Sequence, residues 1–242
     1  MSGHSHAKTV LHKKQITDKK RSKIFSKMSR EISIAVKEGS ENPATNSKLR
    51  LVIEKAKKAN MPRDQIERAI ERGSGKIKGI KLEKILIEAI GLNNIAIIVE
   101  GITDNRNRTL GEIRKILTKF NGKLVSSGGI KWLFDIKGVI TIDTEYQMTD
   151  TKKEEIELIV IEAGAEDIFW DNSILDIYTK IENLEEIKKK LENQGIKIES
   201  ASLDWVPKKM IELKESDKEK CQELFEALDE LDSVQDVYSN IK

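Results

Sequence analysis

Residues 138–203 read GVITIDTEYQMTDTKKEEIELIVIEAGAEDIFWDNSILDIYTKIENLEEIKKKLENQGIKIESASL. A β-branched run at 139–142 is followed by Ile156, Ile159, Val160 and Ala163, whose spacing of three and four marks one buried helix face. Two further apolar runs, 166–170 and 173–179, read as strands. Leu184, Ile187 and Leu191 then give a second helical stripe, and residues 196–203 a closing strand. The order β-α-β-β-α-β predicts a four-stranded antiparallel sheet with both helices on one face, the ferredoxin-like arrangement.

Outward from this block the pattern is incomplete on either side. Upstream, strands at 86–90 and 95–102 flank Gly91, Leu92, Asn93 and Asn94, which read as a hairpin turn. A helix with Leu110, Ile113, Leu117 and Phe120 inward stops at Asn121 and Gly122, and strands at 123–125 and 130–134 follow. Downstream come a strand at 210–213, a helix carrying Cys221, Leu224, Phe225 and Leu228, and a strand at 234–238. That trailing β-α-β is too small to bury its own face, so it is expected to complete the upstream sheet. The discontinuous domain is then 83–134 plus 206–242, with 135–205 inserted into it.

The front of the chain is helical. Thr17 is a good N-cap for a helix with Ile24, Phe25, Met28, Ile32, Ala35 and Val36 inward, ending near Gly39. Asn42 and Pro43 supply the cap and first turn of a second helix, whose stripe is Leu49, Val52, Ile53, Ala56 and Ala59. Pro62 opens a third, with Ile66, Ala69 and Ile70 inward, closed by Gly73. Residues 1–16 show no periodicity and read as an arm free to order on a partner. The fold class is α+β: an N-terminal three-helix domain over residues 1–80, then two α/β sandwich domains, the ferredoxin-like one inserted into the middle one.

Charge separates these parts. Net charge is +2, from 43 basic and 41 acidic side chains. Residues 1–81 nevertheless hold 21 basic against 8 acidic groups, while 135–205 hold 8 against 18. Residues 1–30 have nine cations facing Asp18 alone. A merely solvated helix alternates signs, so a run this one-sided points to a polyanion, whose phosphates release counterions as each Lys or Arg binds. No apolar run approaches the roughly 18 residues of a membrane helix, so no membrane partner is expected. The first sixteen residues lack a secretory apolar core, and the single cysteine, Cys221, cannot form an internal disulfide. A reducing, cytoplasmic setting follows as the expectation.

Catalytic chemistry finds little support. Gly73, Ser74, Gly75 and Lys76 imitate a phosphate loop, but Ile70 and Ile77 stand where it needs glycine and a hydroxyl, so 73–81 reads as a linker. All three histidines, His4, His6 and His12, lie in the arm. His4 as third residue makes an adventitious Cu(II) or Ni(II) motif, and no metal function is assigned. Cys221 shares its helical stripe with leucines and reads as a small buried hydrophobe. Trp132, Trp170 and Trp205 fall near strand ends, where core or interface packing is expected. No enzyme, cofactor or small-molecule substrate is indicated.

The stretch TDNRNRT, residues 103–109, is the most unusual. Asp104 or Asn105 can cap the following helix, leaving Arg106 and Arg108 beside exposed amides where a phosphate or an acidic peptide fits; the competing reading pairs them with Asp104 or Glu112. This stretch, with MSGHS at 1–5, HKK at 12–14, DKKRSKIF at 18–25, REI at 30–32, NMP at 60–62, IERAI at 66–70 and DVY at 236–238, resembles the YebC/PmpR proteins, which include the mitochondrial translational activator of cytochrome oxidase subunit one. The resemblance runs essentially end to end. It implies a three-domain protein with a nucleic-acid-centred role, either as a DNA-binding transcriptional regulator or as a ribosome-associated translation factor that relieves stalling.

The residues expected to touch nucleic acid are His4, Lys8, His12, Lys13, Lys14, Lys19, Lys20, Arg21, Lys23, Lys27 and Arg30, with Arg106 and Arg108. Ribosomal RNA or the ribosome is favoured over DNA, because 34 lysines against 9 arginines suit phosphate binding better than forked readout of guanine. A third possibility is a protein-interaction adaptor working through the acidic domain. The expected oligomeric state is monomer.

Overall fold

The computed structural model describes residues 18–77, 81–144, 150–171 and 173–242. Within them the chain is α+β and divides into two compact units. One comprises Gly128–Lys214 with Tyr238–Lys242; the other runs through Ser127 and takes in Glu215–Val237.

The second of these units begins with helix α1 (Asp18–Glu38), α2 (Ser47–Lys58) and α3 (Arg63–Gly73). Met28, Ile32, Leu49, Ala56, Ile66 and Ala69 meet in one core, the stripes the periodicity predicts. Close approach of α1 and α3 depends on Gly73, where an added Cβ would lie 2.5 Å from the Ser33 carbonyl oxygen. The start of α2 differs from expectation. Asn42 and Pro43 form a turn, its Asn42 carbonyl accepting from the amides of Thr45 and Asn46, and Asn46 is the true cap. Asn46 wins because it serves both helices: its Oδ1 accepts from the Leu49 amide at 3.1 Å while its side-chain amide donates to the Ala35 and Ser40 carbonyls. Pro62 caps α3 instead of entering it.

The same unit carries β1 (Glu83–Ile90), β2 (Ala96–Thr103), α4 (Arg106–Lys119), β3 (Lys123–Leu124), α7 (Glu215–Asp229) and the start of β8 (Val234–Ser239). Sheet order is β3-β1-β2-β8, so the trailing strand does join the upstream sheet. The β1–β2 turn places Asn93 and Asn94 at φ 53° and 60°, left-handed geometry that asparagine tolerates. At the end of α4, Asn121 adopts φ 57° and the Gly122 amide donates to the Leu117 carbonyl, a Schellman closure.

The other unit is the ferredoxin-like sandwich: β4 (Phe134–Asp143), α5 (Asp150–Ala163), β5 (Asp167–Asp171), β6 (Ile174–Thr179), α6 (Leu184–Asn193) and β7 (Ser200–Pro207). The order β5-β6-β4-β7 puts the first and third strands of the motif at the centre. Ile140, Leu175 and Ile177 pack under Val160, Ile187 and Leu191.

Three strand expectations are corrected. Residues 131–133 form a short 3-10 turn, and the strand starts at Phe134. The closing strand is Ser200–Pro207, not 196–203, because β4 is long enough to pair from Phe134↔Pro207 to Thr141↔Ser200. Ile196 and Ile198 still pack on the core from outside the strand. Residues 210–213 make only one parallel bridge, Ile211 with Ile241.

Candidate nucleic-acid interface

The basic run of α1 splits by helix face. Lys23, Lys27, Arg30 and Lys37 recur at four, three and seven, one stripe along the helix, and that stripe is turned onto the rest of its own unit. Lys27 donates to the Asp229 carboxylate at 2.7 Å and to the Asp229 backbone carbonyl at 2.8 Å. Lys23 meets Glu230 at 2.7 Å, Arg30 donates to the Ile102 carbonyl at 3.0 Å, and Lys37 to the Leu82 carbonyl at 3.0 Å. Ile34, on the same stripe, is buried outside the bundle's own core. Three of the cations expected at nucleic acid therefore have partners inside the protein. The partners of Lys23 and Lys27 stand more than 200 residues away in sequence, where no local pattern could announce them.

Of the remaining front-end residues, Lys19 and Lys20 lie in the first turn of α1, and Arg21 is exposed. His4, Lys8, His12, Lys13 and Lys14 lie outside the described residues.

The TDNRNRT stretch divides its labour residue by residue. Thr103 and Thr109 are fully buried, their hydroxyls 2.9 Å apart, and Thr103 Oγ1 also accepts from the Asn105 amide at 3.0 Å. Asn105 caps α4, its Oδ1 accepting from the Arg108 amide at 3.0 Å. Arg108 pairs with Asp104, one turn back. Arg106 is exposed and makes no ion pair among the described residues. Since Arg30 holds the carbonyl of Ile102, the α1 stripe and the start of this loop are neighbours. This contact spans 72 positions in sequence, and Arg106 follows four residues after its Ile102 end.

Cys221 is buried, and burial first, with the Asp217 charge behind it, pushes its thiol up to about 11, so it stays a protonated core residue at neutral pH. No group of three His, Cys, Asp or Glu suited to a metal occurs among the described residues. No described helix is long and apolar enough to cross a membrane. Trp205 is buried and Trp170 half-buried, donating to Glu157 at 2.6 Å, but Trp132 is 65% exposed on the 3-10 turn, so it is not a core residue of this chain.

Sequence reading also missed a second cationic surface. Residues 106–123 hold Arg106, Arg108, Arg114, Lys115, Lys119 and Lys123 against Glu112 alone. The acidic total of the chain behind residue 81 hid it; a window of one helix length exposes it.

A basic helical bundle together with two antiparallel sheets and their helices defines the class as α+β, and comparison places the chain in a family. The family model for the TACO1/YebC protein N-terminal domain matches residues 5–76, and that for the TACO1/YebC second and third domain matches residues 82–241. A probable transcriptional regulatory protein of Dehalococcoides mccartyi is 42% identical over 240 residues, covering 99% of this chain and 94% of the relative. One from Halothermothrix orenii is 44% identical over 241 residues, with the same coverage. The crystal structure of a conserved hypothetical protein from Aquifex aeolicus superposes with a TM-score of 0.84 at 40% identity, covering 96% of both chains. The chain belongs to the TACO1/YebC family.

Proposed function

We propose that the protein is a nucleic-acid-binding regulator of gene expression that acts as a ribosome-associated translation factor, gripping RNA through its basic front and relieving stalled synthesis. The observation that carries this reading is the single-signed run over residues 1–30, nine cations to one acid. Off the inward stripe of α1, the front still holds Lys8, Lys13, Lys14, Lys19, Lys20 and Arg21, to which residues 103–109 add two arginines. The lysines among them suit phosphate contact over base readout. His4 and His12, within the same run of sequence, complete the set. The acidic sandwich, repelled by the same polymer, is left to face protein or solvent.

A second reading, a DNA-binding transcriptional regulator using the same surface, is favoured by the names of the relatives, which are probable transcriptional regulatory proteins. An adaptor role for the acidic domain leaves residues 1–30 without a task. Crosslinking in cells followed by sequencing of the bound nucleic acid separates the readings. Enrichment of ribosomal RNA is expected; enrichment of promoter DNA without RNA would overturn the translation reading.

A further inference from the structure

We propose that the outer face of α4 is a second RNA-binding surface, distinct from the front of the chain, that takes the sugar-phosphate backbone along Arg114, Lys115, Lys119 and Lys123. The proposal rests on the reading of the protein as an RNA binder and adds a site to it.

Four observations converge on this face. First, Arg114, Lys115, Lys119 and Lys123 are exposed, and none makes an ion pair among the described residues; Lys119 lies over the Phe120 ring at 5.2 Å. This contrasts with α1, whose stripe of cations is matched by Asp229, Glu230 and backbone carbonyls. Second, Lys115 and Lys119 stand four apart on the helix, where like charges repel, so their spacing is a cost to the isolated helix that a bound polyanion would relieve. Third, Gly111 sits mid-helix on this face with ordinary helical geometry, and a Cβ there would meet nothing within 4 Å. Its cost to the helix therefore has no reason inside the chain. A polymer lying across the face supplies one, since the missing side chain lets a backbone approach between flanking cations. Fourth, the helix beside it carries the opposite sign. α7, which packs against α4, is acidic, so a strand attracted to α4 is confined to the side away from α7.

The opposite stripe of α4, Thr109, Ile113 and Leu117, is buried, which leaves the polar face to a partner. Phosphate is the chemistry that fits: the Arg114 guanidinium fork matches phosphate oxygens bidentately, and the three lysines beside it act as point charges toward the same groups.

The test uses the full chain and a mixed-sequence single-stranded RNA, with a DNA duplex of the same sequence as the other arm. Replacing Arg114, Lys115, Lys119 and Lys123 by glutamine should weaken RNA binding about tenfold or more at moderate salt, and should lower the salt slope by about 0.7 for each phosphate left unneutralised. A charge-matched variant carrying glutamine at Lys180, Lys189, Lys197 and Lys209 should change neither by more than about twofold. Gly111→Glu, which places an anion in the middle of the face, should reproduce the weakening with the helix content and melting temperature retained. Wild-type affinity and slope in the α4 variant would overturn the proposal. So would an equal weakening in the charge-matched variant, or one seen with duplex DNA and not with RNA. If alanine at Lys13, Lys14, Lys19, Lys20 and Arg21 abolishes RNA binding while the α4 variant retains it, the second surface falls and the functional reading stands. An unmodified protein that binds no RNA at all removes both.

Discussion

The Lys27 ammonium lies 2.7 Å from the Asp229 carboxylate and 2.8 Å from the carbonyl of the same residue, bridging 202 positions of sequence. Both side chains are largely buried, at 12% and 18% exposure, so this double contact joins the helical bundle to the end of α7 in a place where water competes poorly.

Removing that interaction should be felt in stability. Lys27→Ala is expected to cost about 1–3 kcal/mol in urea unfolding, because Asp229 is left partly desolvated and unpaired. The more exposed Lys23–Glu230 pair should be worth under about 1 kcal/mol. A double-mutant cycle for Lys27 and Asp229 with no coupling would mean that the bundle is held by the apolar contact at Ile34 and the carbonyl bonds instead.

Within residues 103–109, structural and functional residues separate by experiment. Thr109→Val removes one partner of a buried hydroxyl pair and should destabilise by about 1–3 kcal/mol, and Asn105→Ala, which removes a helix cap, by about 1 kcal/mol. Arg106→Ala should stay within about 0.5 kcal/mol of the parent while weakening association with RNA or ribosomes. A large drop in its melting temperature would show that Arg106 supports the fold.

Gly111→Ala should stabilise the protein by about 0.5–1 kcal/mol, since the new methyl group meets nothing and the unfolded chain loses freedom. Thermal unfolding checks this directly, and destabilisation would disprove the open space read at that position.

Alanine at Lys13, Lys14, Lys19, Lys20 and Arg21 should reduce co-sedimentation with ribosomes and flatten its dependence on salt. Undiminished co-sedimentation would place the interface elsewhere.

Alkaline pH should loosen the fold through Cys221. Its thiol is raised in the folded state to about 11, from the ordinary value of 9.0, so the folded protein holds that proton after the unfolded chain has released it. The contribution is complete below about 9 and fades as pH rises toward 11. Cys221→Ser should remove much of that component from a pH series of unfolding curves. At neutral pH the native thiol should resist alkylation until the protein unfolds.

Residues 138–203 were readable because strand and helix periods are local properties: Ile156 to Ala163 and Leu184 to Leu191 announce their faces within two turns. The errors cluster where a longer-range choice decided. Asn46 displaced Asn42 as cap because it also binds carbonyls of α1, and β7 slid to Pro207 because the length of β4 offered the register.

Family membership, the order of elements and the one-sided charge of the front were all present in the chain as written, because each depends on residue identity and spacing. Which cations turn inward was decided only by folding. Electrostatic pairing acts through space, so Lys23, Lys27 and Arg30 were consumed by residues remote in sequence while Arg114, Lys115, Lys119 and Lys123 were left facing outward. Net charge along a chain counts both groups alike; only the packed protein tells them apart.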